Sequence, residues 1–184
     1  MFNIKRFHHK NSLFLKMSLF FIVLFIFLFD IKRVKGSSML SSFKENDLLL
    51  IFRAMYGIKS PFSNRYLIRW ARVKKGDVVM YKIRGRYVIK RCYATDEDAI
   101  YFYQKENVRN TEYFMKIEEK EFNINGLSYL RLFFNYSTST QSGMQKVPKG
   151  SLLLLGDNSI SSFDSKDYGY VTQNSILGKV VQWN

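Results

Sequence analysis

Lys75-Gly76-Asp77-Val78-Val79-Met80-Tyr81-Lys82-Ile83-Arg84-Gly85-Arg86-Tyr87-Val88-Ile89-Lys90-Arg91 is the stretch whose reading decides the fold. Two apolar runs, Asp77 to Lys82 and Tyr87 to Arg91, follow turn signals at Lys75-Gly76-Asp77 and Arg84-Gly85. Short runs of β-branched and aromatic residues between such turns read as strands, because those side chains pack on a pleated surface and glycine supplies the turn conformation. The same pattern recurs outward at Asp47 to Phe52, Ala99 to Tyr103, Tyr113 to Ile117, Ser151 to Leu155 and Ile176 to Trp183. Turns at Asn125-Gly126, Pro148-Lys149-Gly150 and Gly156-Asp157-Asn158 punctuate it, and few segments of helical period are long enough to compete. A mainly β domain is expected. Residues 134–145, FNYSTSTQSGMQ, are rich in Ser and Thr and read as a mobile loop.

Upstream of this domain, residues 17–29 read MSLFFIVLFIFLF without a charge, and widening the window to 13–31 takes in Lys16 and Asp30. At about 1.5 Å per residue the uncharged run reaches about 20 Å against a hydrocarbon core of about 30 Å, so a span needs Leu13 to Leu15 and a snorkelling Lys16. No small-x-small cleavage site follows. Phe29-Asp30-Ile31-Lys32-Arg33 stands where one would be, which favours a retained signal anchor over a cleaved signal peptide. The expected organisation is a basic tail at 1–12, a transmembrane signal anchor at 13–31 and an extracytoplasmic β-rich domain at 32–184. Lys5, Arg6, Lys10 and Lys16 outweigh Lys32, Arg33 and Lys35, which Asp30 offsets. That asymmetry places the N-terminus in the cytoplasm and the domain outside, a single-pass arrangement in the cytoplasmic membrane.

A chain of 184 residues holds one well-packed domain on such a tether. Lys and Arg number 29 against 15 Asp and Glu, a net charge of +14 that calls for an anionic neighbour. The clustering of basic residues around the apolar segment points to a phospholipid membrane. Nucleic acid is not expected, because no dense basic stripe interleaved with aromatics is present. Cys92 is the single cysteine, so no intramolecular disulfide is possible, and it reads as a packed or half-exposed bystander. The two histidines, His8 and His9, both precede the apolar segment, leaving no support for a histidine triad or a zinc site. No metal or cofactor is expected.

Three blocks carry the chemistry: Gly36-Ser37-Ser38-Met39, Ile89-Lys90-Arg91, and Gly156-Asp157-Asn158 running into Ser162-Phe163-Asp164-Ser165-Lys166. They supply a hydroxyl, an amine and a second hydroxyl, the parts of a Ser-Lys hydrolase in which a neutral lysine takes the proton of a serine. Lys90 ends the apolar run Tyr87-Val88-Ile89, where burial and the adjacent Arg91 lower an amine pKa from about 10.4 towards neutrality. In their order along the chain the blocks resemble the type I signal peptidase family. Tyr56 to Pro61, Lys75 to Tyr81 and Gly169 to Lys179 are similar to segments of that family too.

The resemblance implies a signal-peptidase-like β domain with one N-terminal transmembrane helix. It implies a membrane-anchored serine endopeptidase that cleaves signal peptides from secreted preproteins through an acyl-enzyme. Ser38 would be the nucleophile, Lys90 the general base and Ser162 the group that orients the amine. The oxyanion site falls at Ser38, through its N–H, and at Gly36, where many relatives carry a serine hydroxyl. Val34, Met39, Phe43 and Ile89 fall on the shallow pockets that accept small side chains, and Arg91 with Asp157, and Asp164 with Lys166, on structural ion pairs. This chain departs from the family pattern at Ser41, where a proline is usual, after Arg91, and at Lys166, where an arginine is usual. Residues 92–146 have little to match and read as a divergent insertion or small subdomain. The alternative function is a catalytically silent membrane-anchored β-domain that binds exported chains.

Overall fold

The computed structural model describes residues 4–60, 62–63, 65–96, 98–106, 111–134 and 143–181, with backbone alone for 4–12 and Phe134. Helix α1 (Ile4–Leu28) leads directly into strand β1 (Phe29–Arg33), which pairs antiparallel with β2 (Leu48–Phe52). The helical span expected through Ile31 therefore stops at Leu28. Ladder pairing of Phe29 opposite Phe52 satisfies the backbone, and the Phe29 ring stacks between Phe25 and Phe52 at 4.8 and 5.0 Å. Among the described residues no helix is long and apolar enough to cross a membrane. The uncharged run of α1, Met17 to Leu28, amounts to about 18 Å at the helical rise, short of a core of about 30 Å.

The domain is mainly β. After the small hairpin of β3 (Gly57–Lys59) and β4 (Tyr66–Arg69), the chain forms β5 (Val78–Ile83) and β6 (Arg86–Thr95). Their turn has Arg84 at φ 46° and Gly85 at φ 81°, the paired positive angles of a tight hairpin whose twist matches the strands. Later come β11 (Ser151–Leu155), β12 (Val171–Thr172) and β13 (Ile176–Val181). With β1 and β2 they complete a seven-stranded sheet in the order β1-β2-β13-β5-β6-β11-β12. Residues 92–146 add β7 (Ala99–Glu106), β8 (Thr111–Ile117), β9 (Lys120–Ile124) and β10 (Met144–Lys146), a four-stranded antiparallel sheet in the order β10-β7-β8-β9. Helix α2 (Gly126–Tyr129), capped by Asn125, and a π-helical turn at Leu130–Phe134 close it. Of the loop expected at 134–145, residues 135–142 lie outside the described residues, as do Pro61 and Trp183.

Strand β11 holds the layers together. Leu153 and Leu155 enter an apolar cluster with Ile100, Phe102 and Met115 of the smaller sheet and Leu132 of the π-helical turn. Leu152 and Leu154 enter a second cluster with Tyr81, Cys92 and Ile176. A strand covered on both faces needs a continuous apolar run, which is what Leu152 to Leu155 supplies. A third cluster gathers Val34, Met39, Phe43, Ile51, Val78, Met80 and Val180. Side chains alternate along β5, so this cluster and the one around Tyr81 lie on opposite faces.

Candidate active site

Lys90 stands on β6 where the neighbouring strand gives out. Pairing of β11 with β6 ends at Leu155 opposite Arg91, and the chain then leaves the sheet at Gly156. Into the space beside Lys90 comes the turn after β1, with Gly36 in the left-handed region at φ 79°. A helical turn follows, in which Phe43 N–H donates to Met39 O at 2.7 Å. That turn presents Ser38, and Lys90 Nζ lies 2.6 Å from Ser38 Oγ. Lys90 is only 3% exposed, and burial pulls its amine below the ordinary lysine range. The charge of Asp164 works against this shift and that of Lys166 adds to it.

The loop after β11 fastens the Ser38 turn through main-chain groups. Asn158 N–H donates to Ser38 O at 3.0 Å, and Asn158 Nδ2 donates to Ser37 O at 3.1 Å. The Ser37 and Ser161 hydroxyls lie 2.7 Å apart. Gly156 is required by space, since a Cβ there would meet the Ser162 side chain and stand 2.6 Å from Ser38 O. Asp157 closes the arrangement from below. Arg91 grips it with two donors, Nε to Oδ1 at 2.9 Å and Nη2 to Oδ2 at 2.8 Å, while Ser42 Oγ donates to Oδ2 at 2.5 Å. Burial pushes the Asp157 carboxyl up, but the Arg91 and Ser42 hydrogen bonds outweigh it and hold it below the usual range.

Asp164, fully buried, caps α3 (Ser165–Tyr168) by accepting from Lys166 N–H at 3.0 Å. It also accepts from Gly156 N–H at 3.0 Å and pairs with Lys166 Nζ at 3.2 Å. One carboxylate thus ties the strand end, the loop and the short helix into a single unit. Cys92 is buried with its thiol pushed up to about 12 by desolvation, which keeps it a protonated packing group.

A family model for signal peptidases, peptidase S26, matches residues 8–183. The chain belongs to that family. It is therefore a serine peptidase, a hydrolase. Signal peptidase I of Buchnera aphidicola subsp. Schizaphis graminum is 28% identical over 223 residues, covering 89% of this chain and 70% of that protein. Signal peptidase I of Bacillus caldolyticus is 29% identical over 155 residues, 84% of this chain and 79% of its own. Signal peptidase I V of Bacillus subtilis is 26% identical over 163 residues, 80% and 81% respectively.

Within this peptidase the expected site residues fall into three groups. Ser38, Lys90, Arg91 and Asp157 converge as described, with Asp164 and Lys166 paired behind them. Val34, Met39 and Phe43 are buried in one apolar cluster, and Ile89 packs against it half-buried, so the four expected pocket residues do share one region. Ser162 departs from expectation. Its hydroxyl is buried and has no hydrogen-bond partner, so the bond expected between Ser162 and the Lys90 amine is not made in this state. The Ser162 side chain lies over Gly156, in space that a Cβ there would need. Sequence reasoning passed over Ser42 and Asn158. Ser42 offered one signal, a serine one helical turn beyond Ser38. Asn158 offered none beyond a turn, because it acts on main-chain carbonyls.

Proposed function

We propose that this chain is a membrane-attached endopeptidase that removes signal peptides from exported preproteins, with Ser38 as nucleophile and Lys90 as general base. The observation that carries the reading is the 2.6 Å contact between a buried lysine amine and a half-buried serine hydroxyl. A lysine works as a base only when neutral, and desolvation favours that form. The relatives named above are signal peptidases, and the exposed apolar side chains of α1, from Leu13 to Phe27, suit a helix that attaches the chain to lipid. On this reading the β domain lies on the outer face of the cytoplasmic membrane, with α1 as its lipid attachment.

In the first half-reaction the neutral Lys90 amine takes the Ser38 proton as Oγ bonds to the scissile carbonyl carbon. The resulting oxyanion accepts from the Ser38 N–H at the turn opened by Gly36. Lys90, now an ammonium, returns the proton to the amide nitrogen, the C–N bond breaks, and the mature protein leaves with a new amino terminus. The signal peptide remains as an ester on Ser38. Water then gives a proton to Lys90 and attacks that ester, and the proton passes back to Ser38 Oγ as the signal peptide leaves with a free carboxylate. Ser162, whose hydroxyl has no competing partner, is assigned the task of orienting the amine. Val34, Met39, Phe43 and Ile89 are assigned to the walls that admit small side chains and exclude larger ones.

The test is cleavage of a preprotein by the full chain in detergent, with Ser38→Ala and Lys90→Ala variants alongside. Both variants are expected to be inactive while folded. Full cleavage by either variant removes the mechanism, and no cleavage by the unaltered chain leaves the silent binding domain in its place.

A further inference from the structure

The β3–β4 hairpin stands apart from the site, and three of its features belong together. The first is apolar exposure: Phe62 is 96% exposed, Leu67 67%, Ile68 61% and Trp70 56%. A hairpin that turns these side chains to the outside holds them for a partner, since two strands alone do not bury them. The second is charge. Between Asp47 and Asp77 the sequence has no acidic residue, while Arg53, Arg65, Arg69 and Arg72 are all exposed. The third is position. Arg53 N–H donates to Leu28 O at 2.8 Å, so the segment begins where the apolar helix ends. Trp70 Nε1 donates to the carbonyl of Met55, two residues after Arg53, at 3.2 Å, which holds the indole beside that segment.

Exposed Trp and Phe beside arginines, starting at the end of a lipid-facing helix, match the boundary between acyl chains and anionic headgroups. We propose that the β3–β4 hairpin seats on an anionic phospholipid surface, with Phe62, Leu67, Ile68 and Trp70 in the interface and Arg53 and Arg65 against phosphate groups. The proposal rests on the reading of α1 as the lipid attachment. The hairpin is also fastened to the sheet that carries the site: Tyr66 OH donates to Ile176 O at 3.1 Å and Arg69 Nη2 to Asn174 Oδ1 at 2.6 Å. Seating it would therefore fix the tilt of the domain, and with it the height of Ser38 above the lipid.

The test uses the full chain with Trp183→Phe, which leaves Trp70 as the sole indole, placed in vesicles of phosphatidylcholine with or without phosphatidylglycerol, each with brominated acyl chains. With phosphatidylglycerol present, Trp70 emission is expected to shift to the blue and to be quenched by the bromines. Adding Arg53→Glu and Arg65→Glu, or raising the salt, is expected to abolish both effects. Equal quenching of Trp70 by aqueous acrylamide in anionic vesicles and in detergent overturns the proposal, as does a blue shift indifferent to lipid charge. Two controls on the same preparation separate it from the reading beneath it. Extraction by alkaline carbonate reports on α1, and preprotein cleavage in detergent reports on the peptidase. A chain that resists carbonate and cleaves, but keeps Trp70 in water, refutes the hairpin alone. A chain that carbonate removes refutes the attachment by α1, while Trp70 quenching before the wash still decides the hairpin.

Discussion

Lys90 on β6 and Lys59 at the end of β3 are two lysines in one molecule whose amines are both drawn below the ordinary range by burial. For Lys59 the fall reaches about 8, with Arg69 adding its charge to the desolvation. Its Nζ is buried without a hydrogen-bond partner, 5.2 Å from the centre of the Tyr66 ring. Lys90 instead meets the Ser38 hydroxyl, on a strand flanked by Asp157, Asp164 and the Gly156 loop. Desolvation alone therefore does not distinguish a base from a packed cation. What distinguishes them is an acidic hydrogen within reach and a loop that keeps it there.

The largest expected effect tests this contrast directly. Lys90→Met is expected to lower kcat for preprotein cleavage in detergent by about 10³-fold or more, as loss of one member of a catalytic set does. Lys59→Met in the same assay is expected to stay within about twofold. If both losses were alike, the distinction drawn between the two lysines would be gone. Next in size is Gly156→Ala. Its added methyl meets Ser162 and the Ser38 carbonyl, so the serine turn must shift, and a misplacement on the ångström scale costs about 10²-fold in kcat. A steady-state assay with a thermal melt separates the displaced site from an unfolded chain.

The pH profile gives a third comparison. Only the neutral amine accepts the Ser38 proton, so kcat/KM is expected to rise with pH and level off below the usual lysine range of about 10.4. Lys59→Met should leave that limb where it is. The stability consequence runs the same way. A buried amine that is neutral when folded and charged when unfolded releases a proton on folding, so its burial costs least at high pH. Lys90→Met is thus expected to raise Tm near neutrality, with the gain shrinking as pH climbs towards the ordinary lysine range. Ser162→Ala is the smallest effect. Removing a buried hydroxyl without a partner should leave Tm level or raise it, whereas loss of its orienting task lowers kcat roughly tenfold at constant KM. An unchanged kcat would remove Ser162 from the site.

Much of the site was legible in the sequence because its parts are local blocks: a turn around Ser38, a strand end at Lys90, and a loop from Gly156 to Lys166. The strand pattern was legible for the same reason wherever apolar runs met glycine turns, as at Val78 to Ile83 and Ser151 to Leu155. Strand β1 was not. Phe29 to Arg33 follows the apolar helix with no turn signal between them and carries three charges in five residues, and only its pairing with Leu48 to Phe52 makes it a strand. Strand β9, Lys120 to Ile124, has too few apolar residues to stand out, and its place comes from the ladder with β8. The clamp by Asn158 was hidden because a side chain that binds main-chain carbonyls leaves no partner residue to notice. Ser162 shows the converse: its position in a block was readable, but its packing over Gly156 was not.

The junction between α1 and β1 has a mechanical result. No slack residue separates Leu28 from Phe29, and the stacked rings of Phe25, Phe29 and Phe52 splint the joint. A lean of the helix is thereby handed on to the sheet as a rotation, and the nucleophile, carried just past the far end of β1, swings through an arc instead of staying put.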